Sequence, residues 1–214
     1  RRDTLGEGWW GMSFTQGFDA VWPKASSVGD TIHMITLNNQ STVNGITNGL
    51  EYHRSDDRGD SWSINHLHNF PDFNTSTFKF SELDADAYAI DAYKNYVAFV
   101  VGGGWDPVVL YKSDDFGQSG TWTKTLIYEP DSSYGHIDQA NALKIVPTLS
   151  SDFSIVIAED GMVHMSSSGF AISWPQGQAL PQDQSGDRHY YPLASLGAYY
   201  WNEGMGTIDV IQND

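Results

Sequence analysis

Three aspartates, Asp84, Asp86 and Asp91, lie close together around a strand-like run, Tyr88-Ala89-Ile90-Asp91. Two carboxylates at a suitable separation are the minimum equipment for glycoside hydrolysis. The same oxygens could ligate Ca²⁺ as a structural ion, although Asp84-x-Asp86 has neither the third acid nor the glycine of a full calcium loop. With 21 Asp in the chain, such clusters arise by chance. The plainer expectation is that Asp84 and Asp86 are solvated loop acids and that Asp91 bonds a turn. His66-x-His68 puts two imidazoles on one strand face, a beginning for zinc without a third ligand nearby, so an ordinary outer strand is expected. His136 and Asp138 lack any accompanying Ser or Cys nucleophile motif and receive no role. No residue is assigned as catalytic and none as a metal ligand.

The aromatics offer another chemistry, stacking on sugars. Trp9, Trp10, Trp105, Tyr190, Tyr191, Tyr199, Tyr200 and Trp201 fall in or near loops and short strands. Packing between sheets is expected for most of them. The exception is Trp105, whose loop Gly102-Gly103-Gly104-Trp105-Asp106 reads as exposed and as a ligand candidate. Asn39-Gln40-Ser41 and Asn74-Thr75-Ser76 match glycan-acceptor sequons, a short pattern that chance often supplies.

Two turns must position these residues. Ser55-Asp56-Asp57-Arg58-Gly59 runs on to Trp62, and Ser113-Asp114-Asp115-Phe116-Gly117 runs on to Trp122, with the two serines 58 positions apart. Gly59 and Gly117 tolerate positive φ in a tight antiparallel turn, Asp57 and Asp115 accept backbone N–H bonds, and the serines do so more weakly. Trp62 and Trp122 open the outgoing strands. The second copy carries two extra residues before its Trp. A turn recurring at this pitch between strand-rich runs marks a repeat architecture.

Composition agrees. The chain has 214 residues, 21 Gly and 8 Trp, a balance of short strands and tight turns, and is 40% hydrophobic, enough for a buried core. No apolar run reaches bilayer length, so direct membrane insertion is not expected. The formal charge of −16 repels phosphate backbones and excludes nucleic acid as a partner. Without cysteine there are no disulfides and no thiolate metal sites. No cofactor is expected beyond, at most, a structural calcium.

The Ser-x-Asp-x-Gly…Trp turns resemble the Asp-box, or BNR repeat, of sialidase-like β-propellers; the first copy is complete, the second interrupted. The resemblance implies an all-β fold, a β-propeller of four-stranded antiparallel blades with the boxes on the periphery. Blades are expected over roughly 14–70, 84–130 and 138–176, with part of another over 188–214, all in one propeller segment, 1–214. A degenerate third box is placed at Ser167. Three to four visible blades do not comfortably close a ring, so a partial propeller is expected. In sialidases three arginines hold the substrate carboxylate. This chain has five, of which Arg1 and Arg2 are terminal, Arg54 and Arg58 belong to the first turn, and only Arg188 is free for a mouth. Sialidase activity is therefore not expected.

Phrases such as Asn48-Gly49-Leu50-Glu51-Tyr52-His53-Arg54-Ser55, Lys112-Ser113-Asp114-Asp115 and Tyr200-Trp201-Asn202-Glu203 also resemble secreted Bacteroidota propeller proteins of the type IX secretion group. That resemblance implies export to the cell surface or beyond. The expected function is a non-catalytic binding or structural module whose partners are glycans or surface proteins, copies of itself included. The alternatives are a glycan-active hydrolase with catalytic residues partly outside this chain, and a subunit of a surface assembly.

Overall fold

The computed structural model describes residues 20–38, 42–78, 83, 87–131, 136–179, 189–191 (backbone only) and 196–208. Asp84, Asp86, Trp9, Trp10, Arg188, the side chains of Tyr190 and Tyr191, and the Asn39 sequon lie outside them.

The first sheet follows from two apolar runs separated by turn residues. Strands β1 (Ala20–Val28), β2 (Thr31–Asn38), β5 (Leu50–Ser55) and β6 (Ile64–Leu67) pair antiparallel in the order β1-β2-β5-β6. A two-stranded hairpin, β3 (Thr42–Val43) with β4 (Ile46–Thr47), fills the connection between β2 and β5. Strand β1 bulges between Val21 and Lys24. Pro23 is tolerated there because β1 is an edge strand and needs no ladder N–H at a bulge.

The second sheet has the order β7-β8-β9-β10: β7 (Tyr88–Tyr93), β8 (Tyr96–Gly103), β9 (Asp106–Ser113) and β10 (Trp122–Tyr128). Its β8 is the continuous apolar run of the sequence, and Val97 to Val101 are all fully buried because both faces are covered. Val97, Phe99 and Val101 join Ile35, Leu37, Leu50 and Tyr52 of the first sheet, with Phe70, Phe73 and Phe78 of the connecting segment between them. Ala98, Val100 and Leu110 instead join Ile157, Val163, Met165 and Trp201 of the third sheet.

The third sheet differs from expectation. The apolar runs Ala142–Val146 and Phe153–Ala158, which read in sequence as two separate strands, belong to one strand, β12 (Leu143–Ile157), bent at a bulge between Leu149 and Phe153. Ser150, Ser151 and Asp152 look like a turn in sequence and are bulge residues. Strand β12 pairs with β11 (His136–Asp138) and with β13 (Val163–Pro175); β13 pairs in turn with β14 (His189–Tyr191) and β15 (Gly197–Asn202). This sheet corrects two expectations. Ser167 lies within β13, where its Oγ donates to the Ser150 carbonyl at 2.9 Å, so no third box turns there. Residues 189–202 do not begin a further blade; they complete this sheet by pairing with β13. The turn equivalent to the earlier boxes comes after β15, as a 3₁₀ turn over Glu203–Met205.

The molecule is thus all-β, a partial β-propeller of three antiparallel sheets packed face to face. The strands that meet along its inner side are β1, β7 and β12, and the candidate chemistry lies on them.

Candidate functional site along the inner strands

Asp91 sits on β7 between the other two inner strands. Ser26 Oγ of β1 donates to Asp91 Oδ1 at 2.9 Å and accepts from the Ala92 N–H at 3.2 Å. Asp91 Oδ2 accepts from the Ile157 N–H of β12 at 2.8 Å. Both carboxylate oxygens are therefore engaged across sheet boundaries. Asp91 is therefore not a turn residue; its carboxylate joins three sheets.

The bonds repeat. Ser26 caps a backbone N–H 66 residues ahead, and Asp91 does the same with the same separation. Each clamp residue heads a cross-strand row, Ser26-His33-Arg54 in the first sheet and Asp91-Ala98-Lys112 in the second. The third-strand cation of each row grips the next sheet as well. Arg54 Nη1 donates to the Phe116 carbonyl at 2.9 Å, and Lys112 Nζ to Glu203 Oε2 at 2.7 Å.

One end of β1 presents an exposed ring. Trp22 is 51% exposed, with φ of 49°, a left-handed conformation uncommon for a bulky residue. The Tyr88 hydroxyl donates to its carbonyl, and Lys24 Nζ donates to the Tyr88 carbonyl at 2.8 Å while lying 5.0 Å from the Tyr88 ring centre. Asp84 and Asp86 precede Tyr88 in sequence. The calcium and carboxylate roles considered for those two acids fall outside the described residues.

The turns consume the arginines. Ser55 Oγ accepts the Gly59 N–H at 2.7 Å and donates to Asp57 Oδ1 at 2.8 Å; Asp57 also takes the Ser61 N–H at 2.7 Å and the Ser61 hydroxyl at 2.6 Å. Those Ser61 bonds hold the Asp57 carboxyl below the usual range. At the second turn Ser113 Oγ accepts from Gly117 N at 3.1 Å and Asp115 N at 3.2 Å. Arg54 Nε pairs with Asp56 at 3.0 Å, and Arg58 pairs with Asp30 at 2.6 Å. Both described arginines thus belong to the first turn and are paired there.

No protein-family model matches this chain, and no curated protein matches it. Among solved structures, the Cellvibrio cellulosa alpha-L-arabinanase is 16% identical over 84% of this chain, with a TM-score of 0.38, and the chain spans 54% of its length. The bifunctional GH43-CE protein of Bacteroides eggerthii is 15% identical over 81% of this chain, with a TM-score of 0.39, and 20% of its length is spanned. The Bacteroides ovatus xyloglucan GH43B structure is 10% identical over 83%, at 0.32, with 43% of its length spanned. Likeness at this level decides neither family nor activity.

The remaining candidates resolve individually. Trp105 is buried at 7% exposure, its ring 6.0 Å from that of Trp174, which corrects its reading as an exposed ligand residue. Its glycines, Gly102, Gly103 and Gly104, all have positive φ and fold the loop onto β12, with Gly104 N donating to the Leu149 carbonyl at 2.8 Å. Tyr200, expected to pack, is the exposed ring instead, at 53%, while its neighbour Trp201 is fully buried. His66 Nδ1 lies 3.0 Å from Glu51 Oε2 and His68 Nδ1 bonds the His66 carbonyl, so the two rings have different partners. No cluster of three His, Cys, Asp or Glu among the described residues is placed to hold a metal. Asp138 caps a turn through Ala140 N at 3.0 Å. Burial lowers the His33 and His53 pKa values to about 4. Sequence reading missed Ser26 and Trp22; the first was legible only as a register of about 66 residues between inner strands, not as the 58-residue spacing of the turns.

Proposed function

We propose that this chain is part of an exported, glycan-directed β-propeller protein, and that its blades bind and support rather than react. The observation that supports this most is Asp91: the inner-strand carboxylate best placed for hydrolysis has both oxygens engaged as a clamp. The sequence resemblance to secreted propeller proteins supports a cell-surface or extracellular site. No helix among the described residues is long and apolar enough to cross a membrane.

A second reading is a glycan-active hydrolase whose reacting carboxylates lie outside the described residues. It is favoured by one feature: Asp84 and Asp86 precede β7, the central inner strand, whose Tyr88 bonds exposed Trp22. Release of reducing sugar from a panel of neutral and acidic polysaccharides separates the two. The binding reading predicts none from wild type. Turnover abolished by Asp84→Asn or Asp86→Asn, with the fold intact, overturns it.

A further inference from the structure

The two glycan-acceptor sequons differ in what surrounds them. Asn39-Gln40-Ser41 is preceded by Leu37-Asn38 and lies outside the described residues. Asn74 instead sits in Asp72-Phe73-Asn74-Thr75-Ser76, with a carboxylate two positions before it and a hydroxyl two positions after. This stretch belongs to a strap, Phe70 to Phe78, that crosses the joint between the first and second sheets. Phe70, Phe73 and Phe78 are its buried anchors. Asn44 of the β3–β4 hairpin donates to the Phe73 carbonyl at 2.9 Å. From β10, Lys124 Nζ reaches Thr77 Oγ1 at 3.0 Å and Asp72 Oδ2 at 3.4 Å. Described residues of both flanking sheets thus hold the strap in place, and between its anchors Asp72, Thr75 and Ser76 are exposed.

We propose that Asn74 is an acceptor for N-linked glycosylation, so that the protein carries a glycan of its own on the strap. Asn74 Oδ1 accepts the Ser76 N–H at 2.8 Å, an Asx turn that fixes the side-chain carbonyl on the backbone. The Asn74 main-chain carbonyl takes the Thr77 N–H at 3.1 Å and the Phe78 N–H at 2.9 Å. Asn74 Nδ2 is left without a hydrogen-bond partner among the described residues. A carboxamide nitrogen is a poor nucleophile because its lone pair is shared with the carbonyl. A transferase must therefore hold the amide and the Ser76 hydroxyl together, and a preformed turn presents both at little entropic cost. Asp72 adds a charged handle beyond the three-residue sequon: its side chain is 73% exposed, and its ion pair with Lys124 is long. In the transfer, Asn74 Nδ2 attacks C1 of the first sugar of a polyprenyl-pyrophosphate-linked oligosaccharide. The N–C1 bond forms as the C1–O bond breaks, the lipid pyrophosphate leaves, and the amide proton passes to a base of the transferase. Such transfer takes place on exported chain, so export alone is drawn from the proposed function.

The acceptor is tested by incubating the folded 214-residue chain with a bacterial oligosaccharyltransferase and a polyprenyl-pyrophosphate-linked heptasaccharide. Intact mass and peptide mapping read the product. One glycan is expected, at Asn74. Asn74→Gln and Ser76→Ala each abolish it. Ser76→Ala keeps the N–H that Asn74 Oδ1 accepts, so its loss of glycan is not the loss of the turn. Asp72→Asn lowers the rate of transfer about tenfold, and Asn39→Gln leaves it unchanged. The proposal is overturned if the folded chain stays unmodified or accepts glycan only after unfolding in urea. It is equally overturned if the glycan maps to Asn39, or if Asp72→Asn is modified as fast as wild type. Because the transferase is supplied directly, the result is independent of whether the chain is exported.

Discussion

Two buried histidines give the protein a pH response at the scale of single residues. With Tyr52 Oη donating to the Phe116 carbonyl, His33 Nδ1–H donates to Tyr52 Oη at 2.6 Å; His53 is bonded at both nitrogens, by Thr36 and Asn65. Both rings are fully buried, and desolvation lowers both pKa values from 6.5 to about 4. The unfolded chain binds more protons than the folded one between those values. Stability is therefore complete above the unfolded pKa and falls as pH drops towards 4, by roughly 3 kcal/mol per ring at the limit. Urea midpoints should hold between pH 7.5 and about 6.5 and then fall towards pH 4.5, less steeply in a His33→Phe variant. Gly117 sets a second constraint: at φ of 71°, an added Cβ would lie 2.2 Å from Tyr52 Oη, which is itself held by His33. Gly117→Ala should cost about 3 kcal/mol in the same assay. None of these partners is near in sequence, so the burial of His33 and His53 was not legible there. Trp105 and Tyr200 exchanged roles for a related reason. Three glycines suggest a loose loop, but here their positive φ values fold Trp105 inward.

At the scale of elements, the Ser-x-Asp-x-Gly turns were legible because their bonds are local. Both serines take the N–H of the glycine four residues on. The two extra residues of the second copy alter the bonding beyond its glycine: Ser113 Oγ meets Thr121 Oγ1 at 2.6 Å, whereas Asp57 collects both Ser61 groups. Ser55→Ala and Ser113→Ala should each cost about 1 to 2 kcal/mol. Asp57→Ala should lower the denaturation midpoint more than Asp115→Ala, and equal effects would contradict the different bonding of the two turns. The third sheet was misread because a bulge and a turn share one composition. Ser150-Ser151-Asp152 satisfies either, and only pairing with β13 on both sides of it shows a single strand. That error moved every later strand of the sheet by one place and put the expected box at Ser167 rather than after β15.

For the molecule as a whole, the all-β propeller class was legible from turns, strand-like runs and composition. The way its sheets are fastened was not. Apolar faces supply most of the packing, but register between sheets is set by two polar couplings, Ser26 with Asp91 on the inner strands and the Arg54 and Lys112 contacts further out. Each joins residues more than sixty positions apart, beyond the reach of any local motif. The couplings also give the array a direction, since the first sheet grips the second and the second grips the third. The central claim, that Asp91 fastens the sheets to one another, is tested most directly by a double-mutant cycle. Unfolding free energies would be measured in urea for wild type, Ser26→Ala, Asp91→Ala and the double variant. Asp91→Ala alone should cost about 2 kcal/mol, since it strands the Ile157 N–H, and the pair should show a coupling of about 1 kcal/mol. A cost and a coupling both near zero would contradict the claim.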